Sequence, residues 1–222
     1  MKRKLKVVML GEGRVGKTSL LHRFLKSEFD ENCPSTVKAN MYANSRMEVN
    51  GQIADVAVWD TAGQEKYHAL GPIYYRDSDG AVLVYDVTDK DSFAKVRVWL
   101  RELHQVVGDR IAVVVVGNKI DLERDRKVSK QDAEQWCSDN GCIHVLCSAK
   151  LGIRVNDAFQ AVVARILESN QPAAGLGQDS SSLGISAGTA NRSRGVKVAL
   201  DEPLSAQAQT AKKEEKKGGC CK

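Results

Sequence analysis

Three short strings in the chain carry residue types that could do phosphate chemistry together. The first, Gly11-Glu12-Gly13-Arg14-Val15-Gly16-Lys17-Thr18, fills the pattern G-x-x-x-x-G-K-[ST]. Its glycines let the backbone curl until successive N–H groups point inward at a phosphate chain. Lys17 is then placed to reach β- and γ-phosphates, and the Thr18 hydroxyl to ligate Mg²⁺. The second string is Trp59-Asp60-Thr61-Ala62-Gly63-Gln64-Glu65. An Asp60 carboxylate facing the glycine loop can hold a water on Mg²⁺, the Gly63 N–H can approach a terminal phosphate, and Gln64 can orient an attacking water. Alone, Asp-Thr-Ala-Gly is ordinary turn chemistry; beside a phosphate loop it acquires a second use.

The third string selects a base. Asn118-Lys119-Ile120-Asp121 and Ser148-Ala149-Lys150 each follow an apolar run. Asp121 offers a carboxylate acceptor to the N1–H and 2-amino donors of guanine. Adenine has neither and would leave that charge desolvated and unpaired. Asn118 either meets the N7 edge of the purine or ties the loops together. The aliphatic stems of Lys119 and Lys150 can cover the base.

For these strings to meet, strands must deliver them to one edge of a sheet. Residues 5–10 read as a buried strand ahead of the glycine loop. From Ser19 to Leu25 apolar residues recur at helical spacing, in a helix expected to end near Glu28. Its first turn adds unpaired N–H groups and the positive end of the helix dipole to the phosphate site. Residues 29–36, with Pro34 among them, form a loop. Runs at 41–49 and 53–59 flank Asn50-Gly51, a strong signal for an antiparallel hairpin. The near-continuous apolar runs at 80–85 and 111–117 are strands covered on both faces. Between them Phe93, Val96, Leu100, Leu103 and Val107 mark an amphipathic helix. Residues 143–147 make a last strand, and Val155, Ala158, Phe159, Val162, Val163 and Ile166 line the inner face of a last helix.

This alternation predicts an α/β fold, a three-layer sandwich around a six-stranded, mostly parallel sheet with one antiparallel edge strand and about five helices. The ligand belongs at the carboxyl ends of the strands. From about Gln171 the composition shifts to Gly, Ser, Ala and Gln without period, so residues 1–170 are read as the folded domain and 171–222 as a disordered tail.

Composition narrows the class further. Hydrophobic residues make up 42% and charged residues 27%, values of a soluble globular protein. The net charge of +5 is not gathered into one basic stripe, so no nucleic-acid partner is expected. Cys33, Cys137, Cys142, Cys147, Cys220 and Cys221 fit no zinc spacing and follow no signal peptide, which points to reduced thiols in the cytosol; Cys137, Cys142 and Cys147 read as buried small apolar groups. His22, His68, His104 and His144 lack metal-like spacing and read as structural or surface residues. No apolar run is long enough to cross a bilayer.

With these residues on the page, the chain resembles a Ras-superfamily small GTPase, a P-loop NTPase, and within that superfamily the Rab family. The Rab-like pieces are Trp59 to Glu65, Tyr74-Tyr75-Arg76, Leu83-Val84-Tyr85-Asp86-Val87-Thr88 and the terminal Cys220-Cys221. The run from His68 to Ser78, Gly11-Glu12-Gly13, and the tail string Arg194-Gly195-Val196-Lys197-Val198 with Asp201-Glu202-Pro203 are similar to the Rab twenty-one branch, early-endosomal kin of the Rab-five group.

The resemblance implies a switch that cycles between GDP and GTP, hydrolyses GTP with Mg²⁺, and recruits effectors for vesicle traffic when GTP is bound. It implies a nucleotide-binding set running from Gly11 to Ser19, with Phe29 packed on the guanine, Thr36 joining Thr18 and Asp60 at the metal, and Gly63, Asn118, Lys119, Asp121, Ser148, Ala149 and Lys150. Gln64 is the implied catalytic residue. The effector triad maps to Met41, Trp59 and Tyr74, with Met41 in place of the usual phenylalanine; Lys38 and Asp77 replace commoner glycines, and Cys33-Pro34 make an unusual switch I. Cys220 and Cys221 are the implied sites of double geranylgeranylation. Implied partners are an exchange factor, a GTPase-activating protein, effectors, a GDP-dissociation inhibitor and a prenylation escort protein. The expected location is the cytosolic face of early-endosomal membranes, with a cytosolic pool. One rival is a GTP-binding scaffold with negligible hydrolysis, which the presence of Gln64 and Gly13 disfavours. The other is a P-loop nucleotide or nucleoside kinase, which would need an acceptor site and a basic lid.

Overall fold

The computed structural model describes residues 4–34, 36, 40–61 and 74–170. Six strands, β1 (Leu5–Leu10), β2 (Asn40–Val49), β3 (Gln52–Asp60), β4 (Gly80–Asp86), β5 (Ala112–Asn118) and β6 (Ile143–Leu146), form one sheet in the order β2-β3-β1-β4-β5-β6. Among the described residues there are four α-helices, α1 (Lys17–Lys26), α2 (Lys90–Val107), α3 (Lys130–Asp139) and α4 (Val155–Ser169), and a 3₁₀ helix at Ile120–Asp125.

The edge strand β2 runs antiparallel to β3, and every other neighbouring pair is parallel. Asn50 and Gly51, at φ 51° and 73°, close the hairpin with the two positive φ angles that a tight turn between twisted strands requires. Side chains alternate across the sheet. Val7, Met9, Val82, Val84, Val114 and Val116 join the core beneath α1 and α4, while Val8, Leu10, Leu83, Tyr85, Val113 and Val115 join the core beneath α2 and α3. This is why β4 and β5 carry unbroken apolar runs: both faces of each strand are buried.

β1 pairs with β3 on one side and β4 on the other, so the chain leaves it in opposite directions and opens a crevice at its carboxyl end. Two helices start on side-chain caps. Asp89 accepts from the Asp91 N–H at α2, and Ser129 from the Asp132 N–H at α3. α1 ends at Lys26, two residues before the expected point, because Ser27 turns left-handed at φ 60° and its N–H bonds back to the Arg23 carbonyl. α3 buries only Ala133 and Cys137, too thin an apolar stripe to stand out by period. Cys137 and Cys147 are buried as expected, whereas Cys142 is only half-buried; all are free thiols. The Tyr85 hydroxyl pairs with the His144 ring at 3.0 Å, a structural setting for that histidine. The expected tail, residues 171–222, lies outside the described residues.

Candidate functional site

The glycine loop leaves β1 at its carboxyl end and closes on the first turn of α1. Lys17 is buried there, and its Nζ donates to the carbonyls of Gly11 (2.8 Å) and Glu12 (2.9 Å). Burial pulls its pKa down to about 8 against the opposing charges of Asp60 and Glu12. The loop carbonyls thus hold a cation whose donors phosphate oxygens could take instead. Gly16 has φ +93°, and a Cβ there would lie 2.4 Å from the Asn118 Nδ2. Both the backbone angle and the close approach demand glycine.

The second string meets the first through hydroxyls. Thr18 Oγ1 donates to Asp60 Oδ2 at 2.6 Å, Thr36 Oγ1 does so at 3.4 Å, and the two hydroxyls lie 2.8 Å apart. The Thr61 hydroxyl donates to the Met9 carbonyl at 2.7 Å and fastens the end of β3 to β1. Asp60 is fully buried, yet its Oδ1 has no hydrogen-bond partner. Burial raises its pKa, opposed by the Thr18 hydrogen bond and the Lys17 charge. A buried carboxylate oxygen left unsatisfied beside two hydroxyls is a donor set that fits a hard, oxygen-seeking cation such as Mg²⁺. Among the described residues no group of three or more His, Cys, Asp or Glu gathers.

The base end is a lattice of loop ties. Asn118, 1% exposed, donates from Nδ2 to the Val15 carbonyl (2.9 Å) and accepts at Oδ1 from the Ala149 N–H (3.1 Å). Of its two possible uses, these bonds are of the loop-tying kind. Ser148 Oγ donates to Asp121 Oδ1 at 2.6 Å and accepts from the Leu151 N–H, which holds the Asp121 carboxylate in one orientation. Lys119 Nζ pairs with Asp86 at 2.6 Å and Lys150 Nζ with Glu31 at 2.6 Å, leaving the stems of both to line the cavity. The resulting cavity is about 600 Å³ and is bounded by the glycine loop, Phe29, Thr36, Asn118, Asp121 and Lys150. That volume falls in the range of small-molecule sites.

Some of this network has no counterpart in the strings. Arg23 donates to the carbonyls of Ala149 (2.8 Å), Lys150 (2.8 Å) and Ser27 (2.6 Å), and lies over the Phe29 ring at 5.9 Å. Glu31 and Asp86 are further partners of this kind. The only available signal was weak: a basic or acidic residue beside an apolar run.

Trp59 is half-buried, with the Lys6 Nζ 5.0 Å over its ring, and stands opposite Met41 in the β2–β3 register. Tyr74 is half-buried and Tyr75 buried. Gly63, Gln64, Cys220 and Cys221 lie outside the described residues.

Residues 6–168 match the model of the Ras family. The chain is 49% identical over 169 residues to the Ras-related protein Rab-21 of Geodia cydonium, covering 76% of this chain and 73% of that protein. It is 45% identical over 216 residues to the Ras-related protein Rab-21 of Homo sapiens, covering 97% and 90%. With the protein of the same name from Dictyostelium discoideum it shares 43% over 162 residues, covering 73% and 76%.

Proposed function

The chain belongs to the Ras family and is a Rab-type small GTPase, and on that premise we propose a role for each residue of the cavity. It binds GTP and GDP, hydrolyses GTP, and works with regulators and effectors in membrane traffic. The observation that carries the residue assignment is the convergence of Lys17, Thr18, Asp60, Asn118 and Asp121, from three separate segments, on one cavity and its hydrogen-bonded rim.

In the proposed mechanism the loop N–H groups from Gly13 to Ser19 hold the phosphates, and Lys17 exchanges the Gly11 and Glu12 carbonyls for β- and γ-phosphate oxygens. Thr18 and Thr36 would hold Mg²⁺ through their hydroxyls, and Asp60 would hold it through a water. When bound, Mg²⁺ neutralises charge that develops on the phosphate oxygens. The Gly63 N–H meets the terminal phosphate, and Gln64 orients the attacking water; excluding bulk solvent there strengthens both contacts. Asp121, held by Ser148, accepts the two guanine donors. Asn118 keeps the glycine loop and the Ala149 loop at the spacing of one purine. The stems of Lys119 and Lys150 and the Phe29 ring cover the base.

Met41 on β2, Trp59 on β3 and Tyr74 form the effector surface. An exchange factor opens the site, and an activating protein supplies the charge stabilisation that unassisted turnover lacks. The tail 171–222 is a tether whose Cys220 and Cys221 both carry geranylgeranyl groups, since one chain gives only reversible membrane binding and two give stable anchoring. A prenylation escort protein and a GDP-dissociation inhibitor then handle the lipids, and the protein divides between early-endosomal membranes and the cytosol. Asp121→Asn tests the base assignment. Xanthine carries a carbonyl where guanine has its 2-amino group, so an amide donor favours XTP. A competition assay should show preference moving from GTP to XTP; unchanged GTP preference removes Asp121 from this role.

A further inference from the structure

Four cationic residues line the nucleotide cavity: Arg14, Lys17, Lys119 and Lys150. Three are engaged. Lys17 bonds the loop carbonyls, Lys119 pairs with Asp86, and Lys150 pairs with Glu31. Arg14 is exposed and has no hydrogen bond or ion pair among the described residues. Its backbone is costly too, as is that of Lys119 at φ 68°. Arg14 sits at φ 64°, the left-handed region that disfavours any residue with a Cβ. At Gly16 the same loop meets a positive φ with glycine; at position 14 it carries the longest cationic side chain available.

The charge balance of the cavity gives that side chain a use. Against the four cations stand four carboxylates, those of Glu12, Asp30, Glu31 and Asp121. The lining is therefore neutral with Arg14 and negative without it, before a polyphosphate arrives. Arginine is always charged, forms forked bonds to phosphate oxygens and is weakly hydrated, so it exchanges water for phosphate more readily than lysine does.

We propose that the Arg14 side chain is a nucleotide-retention residue, adding a cationic contact to the phosphates of bound GDP or GTP beyond those of the loop backbone and Lys17. It rests on the cavity's being the guanine-nucleotide site. The contact holds the ground state, so it slows spontaneous nucleotide release and raises the work an exchange factor must do.

The experiment measures release of fluorescent GDP from the full chain carrying Arg14→Gln or Arg14→Lys. Both replacements keep a long side chain in the same backbone conformation, so loop strain is matched. Arg14→Gln is expected to release GDP about tenfold faster at low salt, the size of a lost hydrogen bond to a charged group at an exposed site. Arg14→Lys should recover most of that difference. The gap should close near 1 M salt, where the screening length is about 3 Å. Affinity for guanosine, which has no phosphate, should be the same in all three proteins. Release from Arg14→Gln that matches wild type at low salt overturns the proposal, as does equal acceleration by Arg14→Lys or an equal loss of guanosine affinity. Wild-type protein that fails to retain GDP overturns the nucleotide-site reading itself, a result distinct from any of these.

Discussion

Replacing Asn118 by alanine deletes both bonds that tie the glycine loop to the Ala149 loop. The Val15 carbonyl loses its donor at 2.9 Å and the Ala149 N–H its acceptor at 3.1 Å. Val15 and Ala149 are 2% and 3% exposed, so each orphaned group costs about 1–3 kcal/mol unless solvent reaches it. Water entering from the cavity side recovers part of this, leaving about 2–4 kcal/mol in total. For a domain of this size that is a fall in Tm of about 8 °C. Thermal unfolding of GDP-loaded protein measures it, after subtraction of RT ln of the separately measured Kd ratio. A loss well below 1 kcal/mol, with GDP affinity nonetheless reduced, would place the amide on the purine and refute the loop-tying account. Gly16→Ala supplies the internal control. Its new Cβ meets Asn118 Nδ2 at 2.4 Å, so the clash disappears in the Asn118→Ala background while the cost of φ +93° persists. The two substitutions should therefore be less than additive, by about 1 kcal/mol or more.

Gln64→Leu should slow single-turnover GTP hydrolysis while leaving GTP affinity near wild type, because the amide acts on the attacking water; affinity falling in step with turnover would contradict it. The His144 ring, beside the Tyr85 hydroxyl, has its pKa pushed down to about 4, by burial first and then by the charges of Arg154, Lys130 and Arg126. The unfolded chain takes up a proton near pH 6.5 that the folded one refuses until about pH 4. Stability is thus retained above pH 6.5 and falls as pH drops through that window, by at most about 1.4 kcal/mol per pH unit. Urea unfolding at pH 7 and pH 5.5 should show a smaller acid loss in His144→Gln than in wild type, and equal losses would refute the assignment. Replacing Cys220 and Cys221 together by serine should move the protein from membranes to the cytosol with GTP binding intact. Fractionation that still finds the double variant on membranes counts against lipid anchoring.

Local geometry was legible wherever a few neighbouring residues decide it. The glycine loop, the Asn50-Gly51 hairpin and the doubly buried strands β4 and β5 were all placed within a residue or two. Their signals are contiguous: φ > 0 positions need glycine or asparagine, and a strand covered on both faces is apolar at every position. α3 and the 3₁₀ helix after Lys119 were not drawn, since one buries a narrow stripe and the other buries none of its side chains.

The chain's residue types by themselves placed a G-x-x-x-x-G-K-T loop, an Asp-Thr-Ala-Gly turn and an Asn-Lys-x-Asp string at the ends of alternate strands, β1, β3 and β5. They did so because each is a string whose chemistry depends on immediate neighbours. Only the tertiary structure decided what those residues hold between them. Asn118 reaches back to Val15, Thr18 and Thr36 share Asp60, and Arg23 binds the carbonyls of Ala149 and Lys150, 126 and 127 positions away. Hydrogen bonds of this range leave no periodic trace in a sequence. They follow from the strand order that brings β1, β3, β5 and β6 to one crevice, and that order is set by burial on both faces of the sheet at once.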